Sequence, residues 1–252
     1  MPITDSFDAS SDEIIKASDL LAVRPGFPST ALLTFDATTF ALMKDECQME
    51  PIARLAGAAD GIGVYALESG GVRYAACVSP VGAPVAVAVV EELIAVGVRT
   101  FVVFGSCGVL DAAIDAGHII VPTAAWRDEG TSYHYAPAAD WIDVATSART
   151  QDILRAAGVG VVAGKVWTTD AFYRETRATV ERRRAAGCVA VEMECSALAA
   201  VAAWRGVDVY QFLYAADSLA ADAWDARILG ALPTEPRLAH VKLALEIARQ
   251  VN

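Results

Sequence analysis

Four short segments place reactive side chains just after an apolar stretch. The first is Gly105-Ser106-Cys107-Gly108, which follows Phe101-Val102-Val103-Phe104. Paired glycines let a backbone turn sharply and approach a ligand. Ser106 offers a hydroxyl there, and a plain tight turn explains the same residues equally well. The second is Trp167-Thr168-Thr169-Asp170-Ala171-Phe172-Tyr173-Arg174-Glu175, after Val166. Its aromatic faces suit a flat heterocycle, although core packing is the commoner fate of such rings.

The third segment is Glu192-Met193-Glu194, which leads into Cys195-Ser196-Ala197. Acids in the first turn of a helix are favoured by its dipole, so capping is the plain reading. A carboxylate with apolar sequence on both sides is costly unless it finds donors. A sugar diol supplies two O–H donors, which Glu194 can accept together. The fourth segment is Ala215-Ala216-Asp217-Ser218. An acid at the end of an apolar strand gains a raised pKa and suits a general acid. A cap on the following loop is the alternative for Asp217.

The elements that carry these segments alternate. Residues 64–67 and 72–79 read as strands joined through Ser69-Gly70-Gly71, a hairpin signal. Residues 85–96 read as a helix ended by Gly97. The run 101–104, wholly apolar, fits a strand buried on both faces. Residues 118–121 read as a strand stopped by Pro122, and further strands fall at 159–166, 189–191 and 207–214. Helices fall at 151–157, 176–186, 193–205 and 236–251. This alternation predicts a three-layer α/β/α fold with a central mixed, mainly parallel sheet. Ligands in such folds bind beyond the carboxyl ends of the strands, where all four segments lie. We expect one domain over residues 1–252, with a loosely structured N-terminal lead-in of about 30 residues.

Composition narrows the function classes. The net charge is -11, which argues against nucleic acid as a partner. The densest basic cluster, Arg182-Arg183-Arg184, is expected on a solvated helix face. Five widely spaced cysteines with no C-x-x-C pair argue against a disulfide framework or a zinc ribbon, and fit a reducing cytoplasm. The polar, acidic N-terminus lacks a signal-peptide pattern. The most apolar stretch, 83–90, is too short to span a bilayer.

Together and in this order, the four segments resemble the nucleoside phosphorylase superfamily, which contains uridine phosphorylase, hexameric purine nucleoside phosphorylase and methylthioadenosine nucleosidase. The likeness runs from about Val72 to Gln211, and its most specific element is Val191-Glu192-Met193-Glu194. Glu91-Glu92-Leu93 before Gly97-Val98-Arg99-Thr100-Phe101, and Asp128-Glu129-Gly130-Thr131-Ser132-Tyr133-His134-Tyr135, are similar to uridine phosphorylase. The resemblance implies cleavage of the N-glycosidic bond of a nucleoside. Glu194 would bind the ribose 2′- and 3′-hydroxyls, Met193 would pack on the sugar and Glu192 would support the site. Phe172 would stack on the base, and Gly105 and Ser106 would lie at the acceptor or sugar. Asp217 would protonate N7 of a purine. The resemblance implies no metal and no organic cofactor, phosphate as a possible co-substrate, and a homo-oligomer, dimer or hexamer.

Two departures concern the acceptor. Phosphorolytic members carry an Arg where this chain has Val103, and a Gly-Asp-Pro-x-Arg stretch whose nearest match here is Gly26-Phe27-Pro28-Ser29-Thr30. Phosphate needs charge-assisted hydrogen bonds, which Arg24, Arg54 or Arg127 would have to restore. A third departure concerns the base: Arg174, Glu175, Thr176 and Arg177 replace the Gln and Arg of uridine phosphorylases, and Asp217 favours a purine. Three functions stay open: a phosphorylase, a hydrolytic nucleosidase, and a non-catalytic nucleoside-binding protein.

Overall fold

The computed structural model describes residues 2–56 and 61–252. In chain order the elements are α1 (Ala17–Leu20), β1 (Thr30–Thr34), α2 (Ala37–Glu46), β2 (Glu50–Leu55), β3 (Ile62–Ser69), β4 (Val72–Val78), α3 (Ala83–Val96), β5 (Thr100–Val109) and β6 (Ile119–Asp128). They continue with β7 (Trp141–Asp143), α4 (Ser147–Ala156), β8 (Val161–Thr169), α5 (Arg177–Ala185), β9 (Cys188–Glu192), α6 (Cys195–Arg205), β10 (Asp208–Ser218) and α7 (Thr234–Val251). Short 3-10 turns fall at Ile3–Asp5, Thr131–His134 and Phe172–Arg174.

Among the described residues the strands form one mixed sheet, ordered β10-β6-β8-β9-β5-β1-β4-β3-β2, with β7 beside β6. The longest ladders, β5 with β10 and β6 with β8, are parallel. β2, β3 and β4 pair antiparallel at one edge. Because β10 also pairs with β5, the strands β10, β6, β8, β9 and β5 close into a ring.

Period-two alternation explains the layers. Ala31 and Leu33 of β1, with Phe101 and Val103 of β5, pack into a core shared with α3 and α6. Leu32, Val102 and Phe104 face the other way, into a core shared with α2, α4 and α7. Strands covered on both faces read as unbroken apolar runs. Each fully buried Val, Leu or Phe contributes about 1.5–3 kcal/mol. The expected α/β/α architecture is therefore present.

Several local expectations change. The hairpin holds: Ser69 pairs with Val72, and Gly70 and Gly71 both have positive φ, which this two-residue turn requires. Pro122 does not stop β6, which runs on to Asp128 across an irregularity between Pro122 and Ala125 in its pairing with β8. Gly105 to Gly108 is no turn either, since β5 continues through it to Val109, paired with β10. The glycines there allow close approach. A Cβ on Gly105 would sit 3.0 Å from the Phe35 ring, and one on Gly108 2.7 Å from Leu219.

α6 begins at Cys195, two residues later than expected, with Glu194 as its N-cap residue. Arg183 is not on a solvated face. It pairs with Asp128 at 2.9 Å and stacks over Trp126. β1, α2 and β2 had no counterpart in the sequence reading. Residues 2–29 carry α1 and the Ile3–Asp5 turn. The five cysteines are free thiols, four buried and Cys47 half-buried. Among the described residues no helix is long and apolar enough to cross a membrane.

Candidate active site

A cavity of about 550 Å³ opens beyond the carboxyl ends of β5, β9 and β10, within the size range of small-ligand sites. Ser106, Phe172, Glu192, Met193, Glu194 and Asp217 all line it. Gly105 lies instead in the wall of an adjoining cavity of about 400 Å³, which shares Phe35, Val81, Ser106 and Leu229 with the first.

The Glu192-Met193-Glu194 segment divides two tasks. Glu192, at the end of β9, is buried, and its carboxylate accepts from the backbone N–H groups of Glu194 at 2.8 Å and Cys195 at 2.6 Å. It also accepts from the Thr168 hydroxyl at 2.5 Å. Capping thus accounts for Glu192, which fastens the start of α6. Glu194 turns its side chain away from that helix and accepts from the N–H of Gly82, the N-cap residue of α3, at 2.6 Å. Burial raises the pKa of both carboxyls, and the Glu192 charge raises Glu194 further. Glu194 has fewer donors than Glu192.

A polar chain supports this end of the site. Thr168 Oγ1 accepts from the backbone of Ser196 at 3.0 Å, and the Ser196 hydroxyl donates to Glu129 at 2.9 Å. Glu129 also accepts from the N–H of Ser132 at 3.0 Å.

The aromatic segment sits at the mouth. Asp170 accepts from Gly130 N–H at 3.0 Å and Thr169 from Ala171 N–H at 3.2 Å, which fixes the turn after β8. Phe172 and Tyr173 then lie with ring centroids 4.0 Å apart. Phe172 is 49% exposed, so core packing does not explain it.

Asp217 rides on the last turn of strand in β10, beside an irregularity between Ala215 and Asp217 in the pairing with β5. It pairs with Gly108, whose missing side chain leaves room for its carboxyl: a Cβ there would sit 3.3 Å from Oδ1. Asp217 Oδ2 accepts from the indole N–H of Trp224 at 2.7 Å. The Trp224 loop is itself tied down by a bridge between Ser218 and Asp225. Burial raises the Asp217 pKa, against the lowering influence of Trp224.

The expected substitutes for phosphate-binding arginines are not at the cavity. Arg127 is buried and spends its guanidinium on Ser132, Pro137 and Ala136, stacked over Tyr133. Arg24 donates to the Ile52 carbonyl, and Arg54 lies in the edge strand β2. Val103 is fully buried in the core, not in the cavity wall. Gly26 to Ser29 precedes β1 and Thr30 opens it, and none of them lines the cavity. Phe35, at the exit of β1, does line it, and Asp36 beside it caps α2 and pairs with Arg237. Among the described residues no Arg or Lys lines the cavity.

Sequence reasoning missed Phe35, Val81, Glu175, Leu219, Trp224 and Leu229 as wall residues. The strand-like Thr30-Ala31-Leu32-Leu33-Thr34 before Phe35 was an available signal.

A sequence model described as the phosphorylase superfamily matches residues 31–236. The chain belongs to the phosphorylase superfamily. Among relatives within it, guanosine phosphorylase of Halorubrum lacusprofundi is 35% identical over 138 residues, covering 52% of this chain and 55% of that protein. Uridine phosphorylase of Salmonella typhimurium is 30% identical over 148 residues, covering 52% of this chain and 58% of that protein. A DeoD-type purine nucleoside phosphorylase of Bacillus cereus is 32% identical over 139 residues, covering 52% and 57%. The match therefore spans a little over half the length of each of these superfamily members.

Proposed function

We propose that the protein cleaves the N-glycosidic bond of purine nucleosides. The observation that carries this is the convergence of Glu194 and Asp217 on one cavity rimmed by Phe172 and Tyr173. Glu194 accepts the two ribose hydroxyls in place of its single backbone donor. Met193 packs against the sugar. Phe172 stacks on the base, and Asp217 faces N7, the acceptor on a purine that takes a proton as the bond breaks. The leaving anion is neutralised by that proton, and the carboxylates stabilise the cationic sugar.

The names of the superfamily relatives, guanosine, uridine and purine nucleoside phosphorylase, support phosphate as the acceptor. One observation favours water as a second reading: the described wall carries Glu175, Glu192, Glu194 and Asp217 and no cation. Losing one charge-assisted hydrogen bond costs about 1.5–3 kcal/mol, so losing two removes about two to four decades of phosphate affinity. Base release is to be measured in phosphate-free buffer and then with phosphate titrated in. Strict dependence on phosphate establishes phosphorolysis. Fast release that phosphate leaves unchanged establishes hydrolysis. Binding of nucleosides with no release under either condition overturns the catalytic reading.

No metal or organic cofactor has a part in this chemistry. The free thiols support a reducing compartment such as the cytoplasm. Exposed Ile14 and Ile15 in the N-terminal segment support assembly of several copies.

A further inference from the structure

Glu175 lies in the wall of the cavity that holds Asp217, between the Phe172–Arg174 turn and α5. It also lines an outer, more open cavity of about 600 Å³ together with Arg177, Glu181, Arg184 and Asp222. The arginines of that outer cavity are engaged elsewhere. Arg177 faces Asp222 at 3.6 Å and donates to its carbonyl. Arg184 donates to the Ala220 carbonyl. Arg227 donates to the Ile114 carbonyl and lies 3.5 Å from Asp225. Among the described residues nothing donates to the Glu175 carboxyl, and its strongest charged neighbour is Asp217, a like charge.

Two neighbouring carboxyls do not both ionise cheaply. Asp217 has the Trp224 indole as donor and Arg227 nearby, so it is the better anion. Glu175 has neither, and burial together with the Asp217 charge pushes it up to about 7. Of the two carboxyls, Glu175 is the better place for a proton.

We propose that Glu175 and Asp217 form an acid pair, in which Glu175 supplies the proton taken by the leaving purine. This rests on the placement of the base at Asp217 given above. In the step, the O–H bond of Glu175 breaks and an N–H bond forms at N7, directly or through Asp217. The electron pair of the C1′–N9 bond moves into the base. The proton lost by the acceptor as it forms its new C1′–O bond returns to the pair. The outer cavity gives Glu175 contact with solvent that does not pass the substrate.

The test is Glu175→Gln, which keeps the volume and removes the acid. It is assayed with purine nucleosides and with a nitrophenyl riboside, whose leaving group needs no proton. The expected result is a fall in kcat of at least about tenfold on purine nucleosides, with KM and nitrophenyl turnover nearly unchanged. The wild-type decline of kcat as pH rises through the Glu175 pKa disappears in the variant. Equal losses on both substrates show a structural residue and overturn the proposal. So does an unchanged kcat with its alkaline decline intact.

A second measurement is independent of turnover. Isotope-edited infrared spectra of the whole protein should show a protonated carboxyl near neutral pH. One component of that signal should vanish in Glu175→Gln and titrate at lower pH in Asp217→Asn, while the component from the buried Glu192 and Glu194 carboxyls stays in both variants. A spectrum that Glu175→Gln leaves unchanged sinks the pair even if nucleosides are cleaved. If the wild type cleaves no nucleoside, the function proposed above fails and the catalytic step with it, while the infrared signal still decides whether the pair shares a proton.

Discussion

The cavity has two carboxyl pairs, and they are built differently. Glu192 and Glu194 sit at the junction of β9 and α6, both buried, with four donors among them from backbone and Thr168. Asp217 and Glu175 sit where β10 runs out and where α5 begins, with one indole donor between them. In the first pair, one carboxylate completes the fold so that the other is held rigidly toward the cavity. In the second, Asp217 at the end of β10 has one side-chain donor, and Glu175 in the turn before α5 faces the open outer cavity. A group that must bind hydroxyls in one geometry profits from rigidity. A group that must gain and lose a proton profits from weak satisfaction and access.

Breaking the sugar side should cost most. Glu194→Gln should lower kcat/KM by about two to four decades, the loss of two charge-assisted hydrogen bonds, with no fall in melting temperature. Wild-type activity of that variant on a ribonucleoside would remove Glu194 from its role. Asp217→Asn should slow purine nucleosides about 100-fold and spare a nitrophenyl riboside. Equal losses on both would make Asp217 structural and reopen a pyrimidine substrate.

Stability separates the pairs more sharply. Glu192→Ala leaves two buried N–H groups and the Thr168 hydroxyl without their acceptor. It should cost about 2–4 kcal/mol in urea unfolding. Trp224→Phe, which removes only the donor to Asp217, should cost under about 1 kcal/mol. Comparable losses in the two variants would erase the distinction drawn here.

The smallest effect is a pH slope. Folding raises the pKa of Glu192 and Glu194 above their unfolded values. The folded state thus holds protons more tightly, and stability falls as pH rises from about 4.3, the unfolded value, through the folded ones. Glu194→Gln should flatten that decline and be more stable than wild type at alkaline pH. A decline that persists in the variant would assign it to other groups.

Much of this site was legible because its residues follow short apolar runs. Val189-Ala190-Val191 marks a buried strand, so the acids after it had to lie at a strand end. What the sequence hid is whatever tertiary pairing decides. Gly105 to Gly108 looks like a turn in isolation, yet β10 holds it extended and β9 pairs with Gly108. Pro122 looks like a stop, yet β6 accommodates it at an irregularity beside β8. Glu192 and Glu194 are alike in sequence, and only the direction of each side chain separates the carboxyl that caps α6 from the one turned to Gly82. Trp224 stands in an irregular loop with no period to read, so its bond to Asp217 had no sequence signal. Glu175 was visible as a departure from uridine phosphorylases, but its neighbour across the fold was not.

The burial of the thiols also has a practical consequence. Burial pushes all five thiols up in pKa, which keeps the reactive thiolate scarce, so accessibility decides among them. Cys47, half-buried, is the most accessible of the five. It closes the far end of α2, whose near end follows Phe35 in the cavity wall. At 1.5 Å per residue, that helix sets a distance of about 15 Å. A thiol-selective fluorophore would therefore label one address, close enough to sense a ligand arriving and too far away to obstruct it.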